Sequence, residues 1–196
     1  KTSKTAKTTQ ASSSTVRVGT TSVRGRSKAH RALALAMSHP AESAERSSNL
    51  RKAAKLGLAE AQYRLGCAYE AGEILSEKRL FQRQPKKADP ALNEQRALRW
   101  FREAAAQGYA HGERKLAEYF EMGRGGLAVD TDTAVHWYSK AAAHGSTNAQ
   151  LSLARLSADE NPARSADWLR KAAEQGNAVA QFQLGWRYSK GTGVRQ

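Results

Sequence analysis

The sequence predicts an all-α protein, an α/α solenoid of about four helix-pair repeats with a disordered basic N-terminal tail. Three observations carry this prediction. The 196 residues include only four prolines, and few segments alternate apolar and polar residues as strands do. One helical pattern recurs four times without gaps. The basic residues at the N-terminus stand without any acidic neighbour, in a segment that lacks large apolar side chains.

The tail is the first element of the chain. Residues 1–41 contain eight Lys or Arg and no Asp or Glu, and 12 of the first 22 residues are Ser or Thr. Such a composition cannot bury enough apolar surface to offset the entropy of ordering it. We therefore predict a disordered tail over 1–27 and a short helix or linker over 28–41, in which "SKAHRALALAM" (27–37) forms a helix that stops near Pro40.

The repeat follows the tail and has a fixed internal spacing. Each copy has an Ala pair followed by Gly, a small residue four positions later and Leu four positions after that; an aromatic residue follows at the next step of four in three copies. The copies are "NLRKAAKLGLAEAQYRLGCAY" (49–69), "WFREAAAQGYAHGERKLAEYF" (100–120), "WYSKAAAHGSTNAQLSLARLS" (137–157) and "WLRKAAEQGNAVAQFQLGWRY" (168–188).

This spacing predicts two helices per copy. Steps of four place the small, Leu and aromatic residues on one helical face, and the Gly can adopt the left-handed conformation that ends a helix. A single pair cannot bury its own apolar face, so neighbouring pairs must stack. The first helices are predicted at about 42–56, 93–107, 132–144 and 162–175, and the second helices at about 59–71, 110–122, 147–158 and 178–190. The repeat domain spans 42–194, with repeats at about 42–72, 93–125, 131–158 and 162–192.

The pattern resembles the Sel1-like repeat family, a relative of the tetratricopeptide repeat. The resemblance rests on "AVHWYSKAAAHG" (134–145), "AQFQLGWRY" (180–188) and the "GTGV" (191–194) that leads toward a further unit. It implies a right-handed superhelix, an adaptor role in protein complexes and, in bacteria, frequent links to export or signalling. Cysteine-rich bacterial members carry a disulfide in each repeat, and this chain departs from them because Cys67 is its single cysteine.

The candidate binding residues lie beside a row of tryptophans. Trp100, Trp137 and Trp168 share one repeat position, and we interpret them as packing residues rather than as a ligand-facing ladder. The resemblance implies that the first helices line a concave groove, where one of two neighbouring rows would meet an acidic partner; the alternative is an ordinary solvated face. The basic members of these rows are Arg51, Arg102, Arg170, Lys52, Lys140 and Lys171.

A basic insertion (74–92) separates the first two repeats. Between Lys78 and Ala88 it has five positive residues, no acidic residue and the apolar pair Leu80 and Phe81. We treat Leu80 and Phe81 as candidate anchors for an acidic partner, beside the alternative of a tolerated surface loop.

The formal charge of +14 favours an acidic partner. The leading hypothesis is a non-catalytic scaffold that binds an acidic protein segment. The alternative is binding of nucleic acid or an anionic membrane through the tail and the insertion. An enzyme is a remote alternative, because no catalytic motif, metal site or cofactor signature stands out, and no segment is apolar over a membrane-spanning length. The sequence leaves open whether the protein is cytoplasmic or exported. It also leaves open whether a signal peptide was removed before Lys1 and whether further repeats follow Gln196.

Overall fold

The computed structural model describes residues 23–40, 43–73 and 89–192. These residues form helices and connecting turns, with no strand among them. The helices are α1 (Val23–Ser38), α2 (Ala44–Lys55), α3 (Ala59–Glu70), α4 (Pro90–Ala106), α5 (Ala110–Met122), α6 (Thr131–Ala143), α7 (Thr147–Leu156), α8 (Pro162–Glu174) and α9 (Ala178–Lys190).

The helices stack in chain order, as the predicted solenoid requires. The pairs are α2 with α3, α4 with α5, α6 with α7 and α8 with α9, and the second helices α3, α5 and α7 also pack on the first helix of the next pair. The packing between pairs is more extensive than the packing within a pair. The array is therefore continuous, and most of its stability lies at the junctions between pairs.

The ends of the helices follow the predicted chemistry. Gly57, Gly108, Gly145 and Gly176 end the first helices with φ between 74° and 86°, the left-handed conformation that only glycine adopts without strain. Helix α4 begins at Pro90, three residues before the predicted start. The side chain of Asp89 accepts a hydrogen bond from the backbone N–H of Ala91, and proline suits the first turn.

The core is built from alanines with a few large side chains inserted between them. Phe101 and Tyr138 are almost completely buried, and each occupies the position that follows the repeat tryptophan. Trp100, Trp137 and Trp168 are partly buried against the apolar clusters, which confirms their interpretation as packing residues. The small residues let the helices approach closely, and the aromatic side chains fill the space that remains.

The segment before the first predicted repeat is a member of the solenoid. Helix α1 begins at Val23, so residues 23–27 belong to this helix and not to the tail; residues 1–22 lie outside the described residues. Ala32, Leu33 and Ala36 are buried in one cluster with α2 and α3. The spacing of Ala29, Leu33 and Met37 matches that of a second helix, so α1 covers α2 as α3 covers α4.

Gly66 and Gly185 occupy the same position in their repeats, but substitution by alanine should change stability in opposite directions at the two sites. A Cβ added at Gly66 would lie 2.5 Å from Cε1 of Phe101, whereas a Cβ at Gly185 would meet no atom of the described residues within 4 Å. Gly66→Ala should lower the free energy of unfolding by about 1–3 kcal/mol through overpacking. Gly185→Ala should raise it by up to about 1 kcal/mol, because alanine is the better helix former. Urea unfolding followed by circular dichroism measures both, and equal effects of the same sign would contradict the described junction.

Candidate interaction surface

The second helices α3, α5, α7 and α9 form one surface, here called the second-helix surface. Lys115 Nζ of α5 lies 3.0 Å from Oε2 of Glu70 at the end of α3, and the rings of Tyr63 and His111 stack with centroids 5.5 Å apart. Arg155 of α7 pairs with Glu121 of α5. Helices α3, α5 and α7 are therefore linked to one another through their side chains.

Opposite charges compensate one another over the first half of this surface. Arg124 bonds Glu70 at 2.6 Å and Glu94 at 2.7 Å. Hydrogen bonds from Arg124 hold the pKa of Glu94 below its ordinary value, against the effect of desolvation. Burial lowers the pKa of Lys115, but Glu70 and Glu118 outweigh it and the net pKa is raised. These cations serve the fold, since each has a carboxylate partner.

The second half of the surface, formed by α7 and α9, differs from the first half in its charge. Helices α7 and α9 contain neither Asp nor Glu; of their basic residues Arg155, Arg187 and Lys190, Arg155 is paired with Glu121 of α5. A cleft of about 360 Å³ opens between them and is bounded by α8. Its lining combines the apolar side chains of Leu151, Val179 and Ala158 with Ser152, Gln183 and the two arginines.

Arg187 is the best-fixed cation of the cleft. Its guanidinium donates to the hydroxyl of Ser165 at 2.9 Å and to the carbonyl of Pro162 at 3.3 Å. Ser165 is completely buried and donates to the carbonyl of Ala154 at 2.5 Å, which fixes the position of its oxygen. Both partners of Arg187 are neutral oxygens, so its charge is not cancelled by a carboxylate among the described residues. A positioned guanidinium beside apolar walls suits a carboxylate group on a partner.

The six basic residues that were predicted from the sequence to bind a partner lie on the first helices and not in the cleft. Arg51, Arg102 and Arg170 lie on the first helices α2, α4 and α8. Lys52 and Lys171 follow Arg51 and Arg170 in the chain, and Lys140 lies on the first helix α6. Arg170 pairs with Asp167 at 2.6 Å. Lys140 and Lys171 lie over the rings of Trp137 and Trp168, at 4.4 Å and 4.3 Å from the centroids.

These residues do not converge on the cleft, and their role in binding stays a prediction. Leu80 and Phe81 lie outside the described residues, as do most of the insertion and residues 1–22 of the tail. Anchoring by this apolar pair and binding of nucleic acid or an anionic membrane therefore also stay predictions.

A polar side-chain pair joins consecutive repeats, and sequence reasoning missed it. Gln62 accepts from Nε2 of Gln107 at 2.6 Å, and Gln150 accepts from Nε2 of Gln175 at 3.2 Å. At the middle junction, Oε2 of Glu113 lies 2.7 Å from Nδ1 of His144. We call these three pairs the junction pairs. The signal was present in the aligned repeats, because one partner follows the small residue and the other precedes the glycine.

The middle junction pair differs from the Gln62–Gln107 pair in its hydrogen bonds. Nε2 of Gln62 donates to the carbonyl of Ala54, eight residues earlier, and Gln181 of α9, which belongs to no junction pair, donates to Ala173 in the same way. The Glu113 side chain has no N–H to donate, and its Oε1 is buried without a hydrogen-bond partner in the part of the chain that the structure describes. Its side chain is completely buried. The middle junction therefore carries an unsatisfied polar atom that the others avoid.

Three further observations limit the chemistry that the described residues can perform. No group of three His, Cys, Asp or Glu side chains comes together in them as a metal ion would require. None of the helices described has the length and apolar character needed to cross a bilayer. Burial raises the pKa of the Cys67 thiol, which makes it a poor nucleophile.

Comparison with known proteins gives a consistent result. The family model "Sel1 repeat" matches residues 59–79, 85–109, 110–146, 149–177 and 178–196. Its third and fourth segments each join a second helix to the following first helix, the pairing with the more extensive contacts. No curated protein matches the chain.

Two solved structures share the fold. The first is c5321, described as a protective antigen present in uropathogenic Escherichia coli strains displaying an SLR fold. It is 29% identical with a TM-score of 0.71, and the match covers 88% of this chain and 35% of c5321. The second is a Sel1 repeat protein from Oxalobacter formigenes, 27% identical with a TM-score of 0.61, and the match covers 76% of this chain and 57% of that protein. This chain thus spans about a third of the first protein and just over half of the second. Since the family model covers more than half of the residues and the helices stack as the repeat requires, the chain belongs to the Sel1 repeat family.

Proposed function

We propose that this protein is a non-catalytic scaffold that binds an acidic segment of another protein in the cleft between α7 and α9. Sel1 repeat proteins generally serve as protein-interaction scaffolds, and the fold is typically non-catalytic. The observation that carries the finer proposal is Arg187, a guanidinium fixed at the cleft by two neutral oxygens.

The chemistry of the cleft supports an acidic partner with apolar side chains. Leu151 and Val179 offer apolar contact, and Val179 is 54% exposed. Such contacts supply affinity by excluding water, while the charged groups mainly add orientation and a faster association rate. Because α7 and α9 contain no acidic residue, an incoming carboxylate meets no like charge on either helix.

A matched pair of double variants tests the proposal. A random peptide library displayed against the wild-type protein should enrich Asp and Glu. Enriched peptides should bind Arg155→Glu/Arg187→Glu at least about tenfold more weakly than wild type, because the variant places carboxylates opposite carboxylates. Fluorescence anisotropy with a labelled enriched peptide measures the loss, and circular dichroism checks that the variant is folded.

The control is Arg102→Glu/Arg170→Glu, which changes the net charge equally on the first helices. Its affinity should stay close to that of wild type. Equal weakening of both variants would show that bulk charge, and not the cleft, binds the peptide. Weakening of this control alone would move the site to the sequence-predicted arginine row. Enrichment of peptides without acidic residues would contradict the proposal outright.

A further inference from the structure

A second cavity, here called the first-helix pocket, opens between the first helices α6 and α8 and has a volume of about 270 Å³. Leu153 and Leu156 of α7 line this pocket. Leu151, Arg155 and Ala158, on the other side of the same helix, line the cleft. Helices α6, α7 and α8 each pack on the helix before and the helix after them. The pocket is therefore an internal feature of the array and is separate from the cleft.

The inner wall of the first-helix pocket is apolar. Leu153 is buried, and Val135, Leu156 and Trp168 are partly buried against the same cluster. Pockets for drug-sized ligands usually measure about 300–1,000 Å³, so this smaller cavity suits one long side chain and not a folded segment. Its wall offers contact to the methylene groups of such a side chain.

Two carboxylates stand at the mouth of the pocket. Asp132 lies in the first turn of α6, and Glu160 lies shortly before α8. Both residues are exposed, and neither carboxylate forms an ion pair or a hydrogen bond within the described part of the chain. Arg164 also lines the pocket, four residues after Glu160, but it forms no ion pair with either carboxylate. Two carboxylates and one guanidinium leave one negative charge at the mouth without compensation.

The sequence around the mouth is acidic, although the chain carries a formal charge of +14. The segments 125–139 and 156–163, which supply most of the mouth, contain neither Lys nor Arg. Their acidic residues are Asp130, Asp132, Asp159 and Glu160. Asp130 is the N-cap of α6 and accepts hydrogen bonds from the first turn of that helix. Lys171 lies over the ring of Trp168, at 4.3 Å from the centroid, and does not line the pocket. The mouth is thus suited to an incoming cation.

We propose that the first-helix pocket binds one lysine or arginine side chain of a partner protein. The stem of that side chain packs against Val135, Leu156 and Trp168, while its cationic end meets Asp132 and Glu160. The backbone of the partner stays outside the mouth, because the cavity has room for one side chain only. A scaffold with this pocket and the cleft would hold a basic partner and an acidic partner on two sides of α7.

The test measures the binding of single side chains to the full chain by NMR, because one anchor supplies only weak affinity. The probes are the acetylated and amidated tripeptides Gly-Lys-Gly and Gly-Arg-Gly, with Gly-norleucine-Gly as the neutral match. Either basic probe should shift the indole N–H signal of Trp168 saturably, with a Kd on the order of 1–10 mM. The neutral probe should bind at least about fivefold more weakly. Trp168→Phe, which removes the indole, assigns the signal.

A matched pair of double variants locates the binding site. Asp132→Asn/Glu160→Gln should weaken binding of the basic probes by at least about fivefold, because it removes both carboxylates from the mouth and keeps their shape. Glu103→Gln/Glu174→Gln is the control. It removes two exposed carboxylates from the first helices α4 and α8 outside the pocket, so it should bind the probes as wild type does. Circular dichroism checks that both variants are folded.

Four results would overturn the proposal. One is the absence of a saturable shift at probe concentrations up to roughly 50 mM. Another is equal affinity for the lysine and norleucine tripeptides. The third is equal weakening by the two double variants, which would assign binding to the general field of the chain. The fourth is saturable binding of n-butylamine without binding of the tripeptides, because a free amine would then occupy the pocket. None of these results depends on Arg155 or Arg187, so failure here leaves the cleft proposal to be judged separately.

Discussion

Phe101→Ala is expected to lower the free energy of unfolding by about 3–5 kcal/mol, the cost of removing a buried phenyl ring and leaving a cavity. Phe101 is completely buried. Its ring contacts Gly66 of α3 and lies 5.5 Å from that of Tyr119 of α5, so one side chain joins two repeats. A domain of this size is stable by only about 5–15 kcal/mol, so the loss would be a large part of the total. Urea unfolding followed by circular dichroism measures the change.

The matched control is Phe182→Ala. Phe182 is 75% exposed on α9, so the same substitution should change stability by no more than about 0.5 kcal/mol. Because Phe101 joins neighbouring repeats, its loss should also broaden the unfolding transition as α1–α3 uncouple from α4–α9. Equal midpoints for the two variants would show that the α3–α4 junction does not depend on this ring.

The second large effect is expected at the middle junction pair. Glu113→Gln should raise the free energy of unfolding by about 1–3 kcal/mol, the cost of one unsatisfied buried polar group. The new Nε2 can donate to the carbonyl of Ala105, eight residues earlier, as Gln62 does to Ala54. The remaining oxygen keeps the contact with Nδ1 of His144. Thermal and urea unfolding at neutral pH measure the gain.

The reciprocal change should have the opposite sign. Gln62→Glu replaces a buried amide, which donates to Ala54 and accepts from Gln107, with a carboxylate that can only accept. It should lower the free energy of unfolding by about 1–3 kcal/mol. If Glu113→Gln destabilises the protein instead, the Glu113–His144 pair contributes more to the junction than the unsatisfied oxygen costs.

The fold could be predicted largely because each repeat signals its own structure locally. The left-handed glycines and the Ala–Leu spacing depend on neighbours within one or two helical turns, so the α5 and α9 boundaries were predicted to the residue. Helix α1 was predicted as a helix or linker but not as part of the array. Its Ala29–Leu33–Met37 spacing was visible, yet a single degenerate copy without the glycine is a weak signal.

The candidate cleft could not be predicted in the same way. The role of Arg187 depends on Ser165, 22 residues earlier on another helix, and on the carbonyl of Pro162. The sequence analysis selected arginines because they recur at one position of the repeat. Such recurrence shows that these residues share one face of their helices, but it does not show which side chains from different helices come together. The junction pairs could be predicted in part. Their recurring positions are visible in the aligned repeats, but the contact that they make between two helices is not.

Because of the insertion, the repeats should not all pack together at the same stage of folding. Between α3 and α4 the chain runs through 71–89, whereas α7 and α8 are joined by 157–161. Closing the longer connection costs about 1 kcal/mol more in chain entropy, so local stacking elsewhere should form earlier in folding. Arg124 then holds the late junction together, since it bonds Glu70 on one side of the insertion and Glu94 on the other. Together with the extensive packing of α3 on α4, these bonds should keep α1–α3 associated with α4–α9 if the backbone between them were cut.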